Sequence, residues 1–256
     1  MRRLFLAALL IAPLAVHAND CKYEAPRNLS LDLSGIHSVQ IDLHSHDLHL
    51  SGSDSAKTGE LTGRACASEP KLLEDLVVTQ RREGDRLIVD IGGGKSHVMI
   101  SLFGSSYRNL DVNLQLPAQM PVVLNVGSGD AWVTGLQRLE SQVGSGDLHV
   151  SKISGPFSTS VGSGDVDARD IGSLDLGAMG SGDLKAEGIK GDARVGAVGS
   201  GDVVLSGVGG NVRAETLGSG DLKVRDVHGD FSLGAKGSGD VIHSGVQGKV
   251  SVPRED

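Results

Sequence analysis

The sequence predicts an all-β chain, a parallel β-solenoid (β-helix) of about seven coils with an irregular β-rich N-terminal portion. Three observations carry this. The tetrapeptide Gly-Ser-Gly-Asp occurs seven times, with its Asp at 130, 147, 165, 183, 202, 221 and 240, so the spacings are 17, 18, 18, 19, 19 and 19. Aligned on that Asp, aliphatic residues fall into fixed columns. Glycine supplies 37 of 256 residues while aromatics make up 3%, which excludes a core built on Phe, Tyr and Trp.

The columns give each repeat its elements. One residue after the Asp stand Ala131, Leu148, Val166, Leu184, Val203, Leu222 and Val241, and three after it Val133, Val150, Ala168, Ala186, Leu205, Val224 and His243. The residue between them is mostly polar (His149, Asp167, Lys185, Lys223), which is the alternation of a strand with one buried face. Six after the Asp come Leu136, Ile153, Ile171, Ile189, Val208, Val227 and Val246, an inward point past a corner. Pairs ten and twelve after it, such as Val212 with Ala214, Phe231 with Leu233 and Val250 with Val252, make a second strand. Two short strands and two corners cannot bury their own apolar face, so each repeat must stack on copies of itself. Glycine is expected at the corners because it takes φ > 0 freely, and Ser and Asp because their side chains bond nearby N–H groups.

Before Gly127 the pattern is less regular. Ser38 to Leu43, Asp47 to Leu50, Leu76 to Thr79, Leu87 to Ile91, His97 to Leu102 and Leu110 to Leu116 read as strands, and Glu69 to Asp75 as a helical turn. Asp47 to Gly52 resembles a degenerate repeat. Residues 19–126 are therefore expected to form longer, irregular coils continuous with a regular solenoid over 127–256. Pro253, Arg254, Glu255 and Asp256 suit a C-terminal cap, because charges and proline discourage strand pairing.

Residues 1–18 have the three zones of a secretory signal peptide: Arg2 and Arg3, an apolar run from Leu4 to Val16, and small residues before Asn19. No later run reaches the ~20 apolar residues of a membrane-spanning helix. Asn19 and Asp20 precede Cys21 where a lipid-anchored chain would carry small residues, so no lipid anchor is expected. Removing the two arginines takes the net charge from -8 to about -10, and an acidic chain with no basic run is a poor partner for nucleic acid or anionic lipid. Cys21 and Cys66, the two cysteines, are expected to pair after export.

Several clusters invite a chemical reading. The Asp column (Asp130, Asp147, Asp165, Asp183, Asp202, Asp221, Asp240) would place like charges about 4.8 Å apart in stacked coils, repelling by about 1 kcal/mol per pair even in water. Something must offset this. Local Asx-type turns are the expected answer, and calcium, which takes several oxygen ligands, is the weaker alternative. Asp42, His44 and His46 would share one face of an extended strand, near Asp47 and His49, but a solvated edge explains them without a metal. Gly92-Gly93-Gly94-Lys95-Ser96 is not a phosphate loop, because the first glycine of that motif would fall at Val89. Ser145, Asp147 and His149 form no nucleophile elbow. A polysaccharide-cleaving β-helix lines its groove with aromatics and Arg, whereas the outward column holds one aromatic, Trp132.

An exported chain with a ragged β-rich first half and a Gly-Ser-Gly-Asp ladder resembles a bacterial family of candidate adhesins without assigned function, related to auto-transporter adhesin head (GIN-type) domains. The resemblance implies a β-solenoid and no catalytic residues. The expected role is a non-enzymatic envelope protein in the periplasm or at the cell surface, needing no cofactor. Its partner would be a protein or glycan of the envelope. The alternatives are a periplasmic scaffold and, more remotely, a calcium-binding or polysaccharide-cleaving β-helix.

Overall fold

The computed structural model describes residues 21–93 and 106–253. The signal-peptide segment, the strand expected over His97 to Leu102, Gly94 to Ser96 and the last three residues lie outside them. Among the described residues there are 21 strands and one six-residue helix, Pro70–Asp75.

Two parallel ladders make up the solenoid. One stacks the strands that follow each Gly-Ser-Gly-Asp turn, in the register Ala131, Leu148, Val166, Leu184, Val203, Leu222 and Val241. The other aligns Val122, Leu139, Phe157, Leu174, Ala193, Val212, Phe231 and Val250. Their inward columns meet in a single core, in which Ile171 and Ile189 are fully buried with Phe157 and Phe231. The columns one, three and six after the Asp hold until the last coil, whereas the pair expected ten and twelve after it falls one residue earlier in the coils of Asp130 and Asp165, at Leu139 with Ser141 and Leu174 with Leu176. In the last coil Val241, Val246 and Val250 are half-buried and His243, at an inward position, is exposed.

The two corners of a coil use glycine for different reasons, and this corrects the expectation. In the Gly-Ser-Gly-Asp corner no glycine has a positive φ. The second glycine is needed because turns lie directly on one another: a Cβ on Gly146, Gly164, Gly182, Gly201, Gly220 or Gly239 would overlap the carbonyl oxygen of the equivalent glycine one coil before. Backbone bonds join the stacked turns, as from Ser181 N–H to Gly162 O (2.9 Å) and Ser200 N–H to Gly180 O (2.8 Å). The other corner does require a left-handed residue. Five positions after each Asp, Gly135, Lys152, Asp170, Gly188, Gly207, Asp226 and Gly245 all have φ between 53° and 77°.

The N-terminal portion stacks on the same ladders but out of chain order. Strand Ser38–Leu43 lies between Arg86–Ile91 and Val122–Val126, and Asp47–Ser53 lies between Arg108–Pro117 and Ala131–Thr134. Antiparallel strands that the sequence reading missed or shifted then cover the outer coil. Gly59–Ala67 pairs with Arg108–Pro117 and carries Tyr23–Pro26 and Leu29–Leu31 on its far edge, while Val78–Glu83 pairs with Arg86–Ile91. Antiparallel pairing closes this end, because a strand of opposite direction does not continue the parallel coil. The helix has Pro70 in its first turn and sends Leu72 into the core. Arg27 holds its last carbonyls, donating to Leu73 O (2.8 Å) and Leu76 O (2.5 Å). The Cys21–Cys66 disulfide, Cα atoms 5.6 Å apart, ties the chain before Tyr23 to this cap.

Candidate functional site: a trough on the first ladder

The out-of-order stacking builds an outward-facing site. Strand Ala131–Thr134 alternates Ala131 and Val133 inward with Trp132 and Thr134 outward. Parallel register sets Trp132 between His49 of the inserted coil and His149 of the next. The rings lie face to face: centroids are 4.6 Å apart for His49 and Trp132 (18° between planes) and 5.6 Å for Trp132 and His149 (19°). Such stacks add about 0.5–1.5 kcal/mol per pair beyond burial. Trp132 nevertheless keeps 37% of its surface exposed.

Two residues further along the same strands, Gln115, Ser51, Thr134, Ser151 and Arg169 stand in register. The small Ser51, Thr134 and Ser151 leave a trough of about 780 Å³ beside the ring stack, and Glu60 and Thr62 of the cap also line it. Its polar groups are preset. Ser151 donates to Thr134 Oγ1 (3.0 Å), and Arg169 grips Asp167 through Nε (3.1 Å) and Nη2 (3.0 Å). A two-point Arg–carboxylate contact fixes the guanidinium in place.

The histidine cluster is dispersed. Strand Ser38–Leu43 ends before His44, so Asp42, His44 and His46 do not share a strand face. Asp42 accepts from Gln40 Nε2 (2.9 Å) and Asn125 Nδ2 (2.7 Å), and exposed His44 lies 3.4 Å from Asp90. His46 is 3% exposed. Its backbone meets Gly129, the second glycine of the next turn, so His44-Ser45-His46-Asp47 is a degenerate Gly-Ser-Gly-Asp turn. The Ser and Asp were the signal for it in the sequence. Burial, together with the charge of Arg108 and neighbouring His44, lowers the His46 pKa to about 4.

The Asp column extends beyond Asp130 to Asp47 and Asp111. Its carboxylates do not turn back on their own corners as expected. From Asp130 to Asp221, each Oδ1 accepts the backbone N–H of the Asp one coil on, at 3.2 Å for Asp130 with Asp147, 3.3 Å for Asp147 with Asp165, and 2.9–3.1 Å for the pairs up to Asp221 with Asp240. The distance between coils decides this, because the next turn presents its N–H directly above the oxygen. A second ladder, unseen in the sequence reading, runs at the opposite corner from Asp192 to Asn211 (2.7 Å), Asp230 (3.0 Å) and Lys249 (2.8 Å). Its signal was a Gly-Asp or Gly-Asn pair recurring at 19 residues. Burial pushes the Asp47 carboxyl up, and Asp130 and Asp111 add to it. Among the described residues, no three His, Cys, Asp or Glu side chains converge on a common point.

Ser145, Asp147 and His149 are engaged elsewhere: Ser145 is exposed in a corner, Asp147 accepts from Asp165, and His149 stacks on Trp132. At the glycine run, Gly92 turns the chain with φ 79°, and Asp90 Oδ1 accepts from Gly93 N–H (2.9 Å). Among the described residues, no helix is long and apolar enough to cross a membrane.

The Toastrack DUF4097 family model matches residues 36–250. Among solved structures, the chain is similar to one described as a lipid-binding candidate from Parabacteroides distasonis (18% identity, TM-score 0.43, covering 90% of this chain and 97% of that one). It is also similar to a candidate adhesin from Bacteroides fragilis (13%, 0.43, 91% and 98%) and a candidate cell adhesion protein from Clostridium sporogenes (13%, 0.31, 91% and 100%). No curated protein matches.

Proposed function

We propose, from the premise that the chain belongs to the Toastrack DUF4097 family, that it is an exported, non-enzymatic envelope protein whose solenoid serves as a rigid binding module, in the manner of an adhesin. The observation that carries this is the trough. A partly exposed tryptophan and a row of preset polar groups stand on the outer face of a stiff double ladder. Exposed aromatic side chains on rigid elements are what recognition surfaces are built from. Export is supported by the three-zone segment over residues 1–18 and by the disulfide, since such bonds persist in oxidising compartments. The partner class is a protein or glycan of the envelope, and the likeness to GIN-type head domains rests on the Gly-Ser-Gly-Asp ladder.

Fractionation of the producing bacterium, combined with sedimentation of the purified protein with isolated envelopes, tests the proposal. The expected result is an envelope or surface location with saturable co-sedimentation. A cytoplasmic location with Cys21 and Cys66 reduced would overturn export. A periplasmic location without affinity for envelopes would overturn the binding role and favour the scaffold.

A further inference from the structure

We infer that the trough beside His49, Trp132 and His149 binds a neutral glycan chain laid along the solenoid axis. The inference rests on the binding-module reading and names the ligand of that site. The three rings lie face to face in one stack that lines the trough, and they bring to it apolar ring carbon together with an indole N–H and imidazole nitrogens. Its floor is the hydroxyl row of Ser51, Thr134 and Ser151, with Gln115 at one end and Arg169 at the other.

Hydroxyls and amides both donate and accept. They match a ligand that does the same at each position, as sugar hydroxyls do. A peptide is served less well, because its backbone groups would find no free main-chain edge in the middle of a sheet face, where the ladder bonds are already made. An anionic chain is also disfavoured. Arg169 is already neutralised by Asp167, and the other carboxylate lining the trough, Glu60, would repel it. The length of the trough, spanning the coils from Gln115 to Arg169, suits an oligosaccharide rather than a single sugar.

The chain contains one tryptophan, so its emission reports on this site alone. Titrating the whole protein with cellohexaose, mannohexaose and chitohexaose should give a saturable shift in emission with at least one of them. Calorimetry should show binding at least about tenfold weaker in Trp132→Ala and in Thr134→Arg, which fills the trough. Arg213→Ala, on the outer face of the other ladder, should bind as the parent does, and thermal melts would establish that each variant is folded. If no neutral oligosaccharide gives a saturable signal, or if folded Trp132→Ala and Thr134→Arg bind as the parent does, the inference fails. Polygalacturonate or phosphatidylglycerol vesicles binding in place of the neutral sugars would overturn it as well. Envelope co-sedimentation of a parent protein that responds to no neutral oligosaccharide would leave the binding module standing and remove the glycan from this site. Glycan binding without envelope affinity would do the reverse.

Discussion

The carboxylate of Asp165 accepts the backbone N–H of Asp183, one coil further along, at 2.9 Å. Repeated from Asp130 to Asp240, this contact turns a column of like charges into a column of inter-coil bonds. Asp183 is in turn the acceptor for Asp202 at 2.9 Å. Asp183→Ala should therefore cost about 1 kcal/mol in urea unfolding. Asp183→Asn, which keeps the oxygen and removes a charge, should change stability by no more than a few tenths. Chelator should leave the melting temperature unchanged. A fall of several degrees, reversed by calcium and not by magnesium, would assign the column to cation binding instead.

At the two corners, substitutions should have opposite effects. Gly182→Ala forces a Cβ into the Gly164 carbonyl of the preceding turn, where backbone cannot step aside. A loss of about 3 kcal/mol or more is expected, at the severe end for single substitutions. Lys152 holds a left-handed φ of 56° at a position where Gly188 and Gly207 serve in later coils. Lys152→Gly should gain up to about 1 kcal/mol, because glycine takes this conformation without strain. Comparing unfolding midpoints of the two variants checks both.

Acid should weaken the protein through His46. Its folded pKa of about 4 lies below the 6.5 of a free imidazole, so between these pH values the unfolded chain holds a proton that the folded chain does not. Stability then rises with pH across that window, is complete above it, and is lost as pH falls through it. The loss is on the order of 3 kcal/mol. Urea midpoints between pH 4 and 7 should slope upward for the parent, and His46→Gln should flatten the slope. An unchanged slope in that variant would assign the acid sensitivity elsewhere.

Reducing Cys21–Cys66 should loosen the N-terminal cap. The bond closes a 45-residue separation, worth roughly 3 to 4 kcal/mol on the loop-entropy account. Mass spectrometry of the exported protein should find both thiols inert to alkylation until a reductant is added. Tryptophan emission should be little changed on reduction, since the disulfide and Trp132 are on different coils.

The sequence by itself determined the coil. A period of 17 to 19 residues with fixed aliphatic columns can be satisfied only by stacking, and the alternation within each repeat says which side chains face inward, so Ile171, Ile189 and Phe231 were legible as core. Only the tertiary structure decided what depends on the contact of one coil with the next. Nothing local to Gly182 says that its constraint is the Gly164 carbonyl, nor to Asp165 that its acceptor role is toward Asp183. The trough is the extreme case. His49 and Trp132 are far apart in the chain, and they meet because the coil of Ser38–Ser53 is inserted between one that ends at Pro117 and one that begins at Val122. Repeat periodicity fixes the neighbours of a coil only where coils stack in chain order. Here the chain runs out to its antiparallel cap and returns, so which coils touch was settled by the burial of apolar faces across the whole molecule.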